Sequence, residues 1–165
     1  MFDSLFVWLE STALSLWLVE SPSVFAFPLV LALHTIGLGL LVGLNAALDF
    51  RLLGGAAHIP VAEFRRFLPV MWAGFWLNAV SGVLLLIAYP AKALTNPVFY
   101  LKLLLIGVAV GILVALRRRL LSERMAASAP RRVKLLAVAS LVCWAGAIIA
   151  GRLLAYTYNR LMALD

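Results

Sequence analysis

Four long apolar stretches, separated by short polar segments, dominate the hydropathy pattern of this chain. A helix needs about 20 mostly apolar residues to cross a bilayer, and each stretch is long enough to do so. They cover residues 24–50, 67–89, 98–116 and 133–156, and each is bounded by charged residues, proline or both. The pattern predicts an all-α integral membrane protein, a four-helix bundle that forms a single domain over residues 1–165.

The first twenty residues have a different pattern. On a helical wheel, apolar side chains mostly oppose a polar side that consists of Asp3, Ser4, Glu10, Ser11 and Ser15. Together with two tryptophans, this predicts an amphipathic helix over residues 3–20 that lies at the membrane interface. A helix packed against the bundle is the alternative. The segment lacks the basic start of a signal peptide, so we do not expect it to be one.

Composition agrees with a membrane location. Apolar residues make up 65% of the chain and charged residues 13%, against about 45–50% and about 25% in soluble domains. The net charge of +7 could indicate nucleic-acid binding, but the cations lie in short segments between apolar stretches. There they indicate orientation and contact with lipid headgroups, so we expect the lipid bilayer as partner and no nucleic acid. The only cysteine is Cys143, which excludes an intrachain disulfide.

The distribution of cations predicts the orientation. Of the fourteen lysines and arginines, nine lie between the first and second spans or between the third and fourth, and a tenth, Lys134, lies at the start of the fourth. The positive-inside rule places both of these segments in the cytoplasm and both termini outside, which an even number of spans requires. Four tyrosines near the opposite ends of the spans agree with an outer aromatic belt, namely Tyr89, Tyr100, Tyr156 and Tyr158. The predicted location is the bacterial inner membrane.

Small residues spaced four apart occur in all four spans. Because lipid is as apolar as a helix surface, helices in a bilayer associate through close packing of such residues and through polar contacts. These rows of small residues, which we call ridges, therefore predict a tight bundle. One ridge could instead contact a second protomer or a partner membrane subunit. The ridges are Thr35–Gly39–Gly43–Ala47, Gly74–Asn78–Gly82, Gly107–Gly111–Ala115 and Ala147–Gly151.

Polar residues at membrane depth are candidates for function, because burying them in lipid is costly. His34 falls near the middle of the first span. Asn45 and Asp49 continue the same helix face toward the cytoplasmic end, and the simplest partner for Asp49 is Arg51 or the basic loop. Asn78 is expected to hydrogen-bond to a neighbouring helix. Arg152 could extend to outer headgroups or pair with an anionic group of a cofactor.

A single intramembrane histidine can be a hydrogen-bonded core residue, a proton relay or an axial ligand of haem. Two features favour haem b. Gly37 could clear space for a flat macrocycle beside His34. Arg152 would lie one to two helical turns nearer the outer face than His34, which is about the distance between haem iron and its propionates. Trp76 could add to the apolar wall. The predicted cofactor site is therefore His34, Gly37, Trp76 and Arg152, with His34 as the metal ligand.

The second axial position is left open by the sequence. The other histidine, His58, falls in a cytoplasmic loop and is expected to be an ordinary loop residue. A six-coordinate haem would need the His34 of a second protomer, a methionine such as Met71, or a partner subunit. No catalytic pair, phosphate-binding loop or paired carboxylates occur, so an autonomous hydrolase or transferase is not expected.

Two sequence segments carry a resemblance to known families. The run from His34 to Gly43 followed by Leu48–Gly54 contains an H-x-x-G helix and a D-x-R-L-L-G turn. It resembles a bacterial inner-membrane family of short four-span proteins of unassigned function, mainly over residues 30–83. A fainter similarity is to the membrane domain of copper-resistance D proteins, whose additional histidines and methionine-rich features are missing here. The resemblance implies that His34, Gly37, Gly43, Asp49 and Arg51 act as a unit.

The preferred functional hypothesis is a haem b-binding membrane subunit that passes electrons between a membrane or periplasmic donor and its partner. A cofactor-free structural or assembly subunit of a membrane complex is the alternative. A small-solute or proton transporter is a third possibility, weakened by the few titratable residues between His34 and Asp49 and by the lack of inverted repeats.

Overall fold

The computed structural model describes residues 2–121 and 129–161, which form seven α-helices and one 3₁₀ helix, with no strand in those ranges. The helices are α1 (Phe2–Glu10), α2 (Ala13–Glu20), α3 (Phe27–Leu53), α4 (Leu68–Ala88), α5 (Pro90–Leu94), α6 (Pro97–Leu121) and α7 (Arg131–Leu161), and the 3₁₀ helix Val61–Phe67 directly precedes α4. The middle of the basic loop, including Arg119 and Arg124, lies outside the residues whose side chains are described.

Four of these helices are long and apolar enough to cross a membrane, and the prediction of an all-α four-span bundle is confirmed. The spans are Phe27–Leu53, Val61–Ala88, Pro97–Arg118 and Arg131–Leu154. Large apolar side chains are exposed along them, such as Ile36, Val80, Leu104 and Ile149. A soluble protein would not leave so many apolar side chains in contact with water. The chain is a multi-pass membrane protein.

Local sequence signals explain where the spans begin and end. Pro28 and Pro69 lie in the first turns of α3 and α4, where the missing N–H of proline costs no hydrogen bond. The helix α3 ends at Gly54, whose φ of 113° is in the left-handed region that favours glycine. Asn96 precedes α6, and its Oδ1 accepts a hydrogen bond from the N–H of Val98 at 2.9 Å.

The bundle is arranged around α3 and α7. The helix α3 packs along α4 and also contacts α7, and α7 packs along α6. We call the end that carries α1, α2, α5 and the start of α3 the N-terminal end. The opposite end, with the 3₁₀ helix and the start of α7, is called the basic end. The core there contains Leu48, Leu52, Leu113 and Trp144.

The N-terminal segment is two helices rather than one. Thr12 separates them and caps α2, its hydroxyl accepting a hydrogen bond from the N–H of Ser15 at 3.3 Å. The helix α2 packs on α4: Leu18 is buried, and the Ser15 hydroxyl donates to the carbonyl oxygen of Ile87 at 3.1 Å. Ser15, which belongs to the polar side of the helical wheel, is therefore buried against α4, as the alternative of a helix packed on the bundle requires. Trp8 and Trp17 are exposed, as an interfacial location of this segment requires.

The ridges of small residues divide into two groups. A Cβ atom on Gly37 would lie 2.7 Å from the backbone nitrogen of Asn78, so α3 and α4 touch through their backbones. Gly74 belongs to this contact, and Gly151 and Gly146 face side chains of α6. By contrast, the ridge of α3 from Thr35 to Ala47 and that of α6 from Gly107 to Ala115 are exposed, with open space at their glycines. These two ridges do not hold the single-chain bundle together.

Candidate functional site

His34 lies on α3 about 10 Å from the start of the helix, seven residues at 1.5 Å each. Its Nδ1 atom is 3.0 Å from the backbone oxygen of Asn78 and 3.1 Å from the hydroxyl of Ser81. A carbonyl oxygen can only accept, so Nδ1 carries the proton and Nε2 keeps its lone pair. The Ser81 hydroxyl donates to the carbonyl of Leu77 at 2.6 Å, which leaves its oxygen free to accept from His34.

Asn78 also holds His34 against α4 through its side chain. Its Nδ2 donates to the backbone oxygen of His34 at 2.8 Å, across the α3–α4 interface, as expected from the sequence. Gly82 leaves room for the imidazole, because a Cβ atom there would lie 3.2 Å from His34 Cε1. The imidazole is therefore held in one orientation by three residues of α4. We call His34, Asn78 and Ser81 the His34 cluster.

Lys102 of α6 is the cation that the structure brings near this cluster. It interacts electrostatically with His34. Gly151 of α7 accommodates its side chain, since a Cβ atom at Gly151 would lie 3.9 Å from both Cδ and Cε of Lys102. Within the described chain, no carboxylate pairs with Lys102. Lys102 lies five residues inside α6, which begins at Pro97.

The other predicted members of the haem site are not brought together. Gly37 packs against the backbone of α4, so the space expected for a macrocycle is not at Gly37, which corrects that expectation. Trp76 is 62% exposed on α4 and Arg152 is exposed on α7. Met71 is buried about 10 Å from Asn78 along α4, too far to share an iron atom with His34. His58 is exposed between α3 and the 3₁₀ helix, as expected for a loop residue.

A second polar cluster lies about 22 Å from His34 along α3, fifteen residues nearer the basic end. Asn45 and Asp49 are fully buried. The Nδ2 of Asn45 donates to Oδ2 of Asp49 at 2.7 Å and to the hydroxyl of Ser140 on α7 at 2.8 Å. We call Asn45, Asp49 and Ser140 the Asp49 cluster. It links α3 to α7, just as the His34 cluster links α3 to α4.

Of the two partners predicted for Asp49, Arg51 is wrong, and the basic loop lies in part outside the described residues. The guanidinium of Arg51 donates instead to the backbone oxygens of Ile59 and Ala57 and closes the turn after α3. Ser81 and Ser140 were not predicted from the sequence. Both are hydroxyl residues inside predicted spans, which could have marked them as candidates. Ser81 also lies three residues after Asn78 and therefore on the same helix face.

No protein-family model, curated protein or solved structure shows a significant match to this chain. In the described residues there is also no group of three or more histidine, cysteine, aspartate or glutamate side chains that could hold a metal ion. The His34 cluster offers a single imidazole ligand, so any metal it binds needs its remaining ligands from a cofactor. His34 and Lys102 are therefore the residues of this site whose contacts bear on function.

Proposed function

We propose that this chain is a haem b-binding membrane subunit that takes part in electron transfer, with His34 as the axial ligand. The supporting observation is the hydrogen bond from Nδ1 of His34 to the backbone oxygen of Asn78. Histidines that bind metals usually donate their second ring N–H to a carbonyl or carboxylate, which fixes the tautomer and orients the other nitrogen. Haem b would supply a one-electron couple, and the protein would orient the ligand and exclude water.

Lys102 supports the same proposal. A lysine at membrane depth is costly unless an anionic group or water accompanies it, and the described chain provides no carboxylate partner. The propionates of haem are anionic groups that could fill this role. The positive charge of Lys102 acts on His34, whereas Arg152 is exposed on the bundle surface. The proposed propionate partner is therefore Lys102 in place of Arg152.

The alternative of a cofactor-free structural subunit also has an observation in its favour. His34, Asn78 and Ser81 satisfy one another across the α3–α4 interface without any ligand. In this case the imidazole would be a packing residue and its Nε2 would have no metal to bind. Both functions predict that the His34 cluster stabilises the fold, so stability alone does not separate them.

An absorption spectrum of the purified protein separates them. The protein is produced with ample haem supply and purified as wild type, His34→Ala and His58→Ala. We expect a Soret band for wild type and for His58→Ala, which removes the other histidine of the chain, and none for His34→Ala. A colourless wild type, or a His34→Ala protein that keeps its haem, would refute the haem proposal. One haem per two chains would indicate a site shared between protomers.

We also infer an orientation in the bacterial inner membrane. The basic end carries Arg51, Arg65, Arg66 and Arg117, and the positive-inside rule assigns it to the cytoplasm. The N-terminal end would then face the periplasm, with both termini outside.

The exposed small-residue ridges support a further part of the proposal, association with a second copy or with a partner membrane subunit. Gly43 has open space in the single chain, so Gly43→Ile should weaken self-association without destabilising the monomer. The mass of the protein–detergent complex, measured by light scattering for wild type and Gly43→Ile, tests this. Equal mass at the monomer value in both would contradict a homo-oligomer.

A further inference from the structure

The Asp49 cluster has two oxygen atoms that the fold leaves without partners. Oδ1 of Asn45 and Oδ1 of Asp49 are both inaccessible to solvent, and neither has a hydrogen-bond donor within the described chain. Both residues are fully buried. Buried acceptors without donors are rare in folded proteins, because each loses its hydration without replacement. Two of them in residues that touch each other indicate a missing positive or donating group.

Within the described chain, no basic side chain donates a hydrogen bond to either oxygen. The contacts of the Asp49 carboxyl group are with Asn45 and Ser140. On the same helix, Arg51 is engaged with loop carbonyl oxygens. On the 3₁₀ helix, Arg66 pairs with Glu63 at 3.3 Å, and both are exposed.

The influences on the Asp49 carboxyl group are its burial and its contacts with Asn45 and Ser140, with no cation among them in the described chain. On α6, the guanidinium of Arg117 lies 6.0 Å from the centre of the Trp72 ring. On α7, Cys143 packs against the apolar core and carries no positive charge. An ionised carboxylate buried without a cation would be strongly unfavourable in this position.

From this geometry we propose that Asn45, Asp49 and Ser140 form a binding site for a small monovalent cation, either Na⁺ or a proton. The Asp49 carboxyl group carries the charge that the cation neutralises. The side-chain oxygens of Asn45 and Ser140 are hard, uncharged donors of the kind that oxygen-binding cations prefer. A proton would convert Asp49 into a neutral hydrogen-bond donor, and Na⁺ would bind the same oxygens. The site is separate from the proposed haem ligand and does not depend on it.

The test is thermal unfolding of the detergent-purified protein, followed by tryptophan fluorescence, at several pH values and in NaCl or choline chloride of equal ionic strength. A cation that binds the folded state stabilises it by mass action. Above its dissociation constant, each tenfold increase in Na⁺ should raise the midpoint by about 3–6 °C for a chain of this size. A proton site should instead raise the midpoint as the pH falls, because the folded protein would hold the proton more tightly than the unfolded one.

The variants Asp49→Asn and Glu63→Gln make the comparison specific. Glu63 is an exposed carboxylate at the same end of the bundle, so Glu63→Gln should keep the wild-type response. Asp49→Asn should lose it, since the amide is neutral and has the same shape. If Na⁺ raises the unfolding midpoint of the wild type but not of Asp49→Asn, the cation is sodium. If only the pH dependence of the midpoint is lost in Asp49→Asn, the cation is a proton. Equal responses in wild type and Asp49→Asn, including no response in either, would overturn the proposal and indicate a buried water.

A measurement on the wild-type protein covers the case in which Asp49→Asn does not fold. Dicyclohexylcarbodiimide adds to protonated carboxyl groups in apolar surroundings and leaves a stable acylurea, which peptide mass spectrometry can locate. We expect modification of Asp49 that decreases when the pH is raised or when Na⁺ is added. Absence of modification at Asp49, or modification that neither treatment changes, would overturn the proposal.

Discussion

Gly37 of α3 and Gly74 of α4 face each other where the two helices touch: a Cβ atom on Gly37 would lie 2.9 Å from the backbone oxygen of Gly74. The contact lies beside the His34 cluster, since the same Cβ atom would lie 2.7 Å from the backbone nitrogen of Asn78. Backbone atoms cannot move aside as a flexible side chain can. The hydrogen bonds of His34 to α4 therefore depend on this close approach of the two helices.

The first prediction is that Gly37→Ala destabilises the protein, whereas Gly43→Ala does not. The added methyl group at Gly37 must push α3 away from α4, and overpacking of this kind typically costs about 1–3 kcal/mol. At Gly43 the methyl group enters open space, and alanine favours the helix more than glycine does. Thermal unfolding in detergent compares the two variants. Similar midpoints would show that α3 and α4 are not in backbone contact.

The second prediction compares the two candidate cations of the cofactor site. Lys102→Gln should weaken haem retention more than Arg152→Gln, because Lys102 is near His34 and Arg152 is exposed. The measurement is the haem-to-protein ratio after purification, with His58→Ala as a neutral reference. If Arg152→Gln loses more haem than Lys102→Gln, Arg152 is the propionate partner, as the sequence alone predicts. The propionates would then lie at the exposed surface of α7.

The third prediction concerns the docking of α2. Leu18 is 2% exposed and packs with Val30 and Ala88, whereas Leu16 on the same helix is 40% exposed. Leu18→Ala should therefore destabilise the N-terminal segment, by about 2–5 kcal/mol if the site behaves as a typical core, and Leu16→Ala should have little effect. Limited proteolysis between α2 and α3 reports the release of α2. Equal cleavage rates for the two variants would contradict the observed packing.

The fourth prediction tests the inferred orientation. In a Cys143→Ala background, a cysteine at Glu20 should react with a membrane-impermeant thiol reagent in intact cells, and one at Ala62 should react only after permeabilisation. Both positions are exposed, Glu20 at the N-terminal end and Ala62 in the 3₁₀ helix at the basic end. The reverse labelling pattern would invert the orientation, and labelling of both from outside would contradict opposite locations.

The sequence by itself determined the number, length and approximate limits of the spans, because these depend on the length of each uncharged, mostly apolar stretch. Observed span limits differ from the predicted ones by only a few residues at most ends, where proline and glycine act locally. It also identified His34, Asn45, Asp49 and Asn78, since a polar group inside an apolar stretch is conspicuous without any structure.

Only the tertiary structure decided which face of each span is inside. Lipid and the bundle core are both apolar, so the hydrophobic periodicity that marks the buried face of a soluble helix is lost in a membrane helix. Gly37 and Gly43 look alike in the sequence, yet one contacts a backbone and the other faces outward. For the same reason the sequence does not show that the charge of Lys102 acts on His34, or that Asn45 and Asp49 form a cluster with Ser140, which lies far away along the chain.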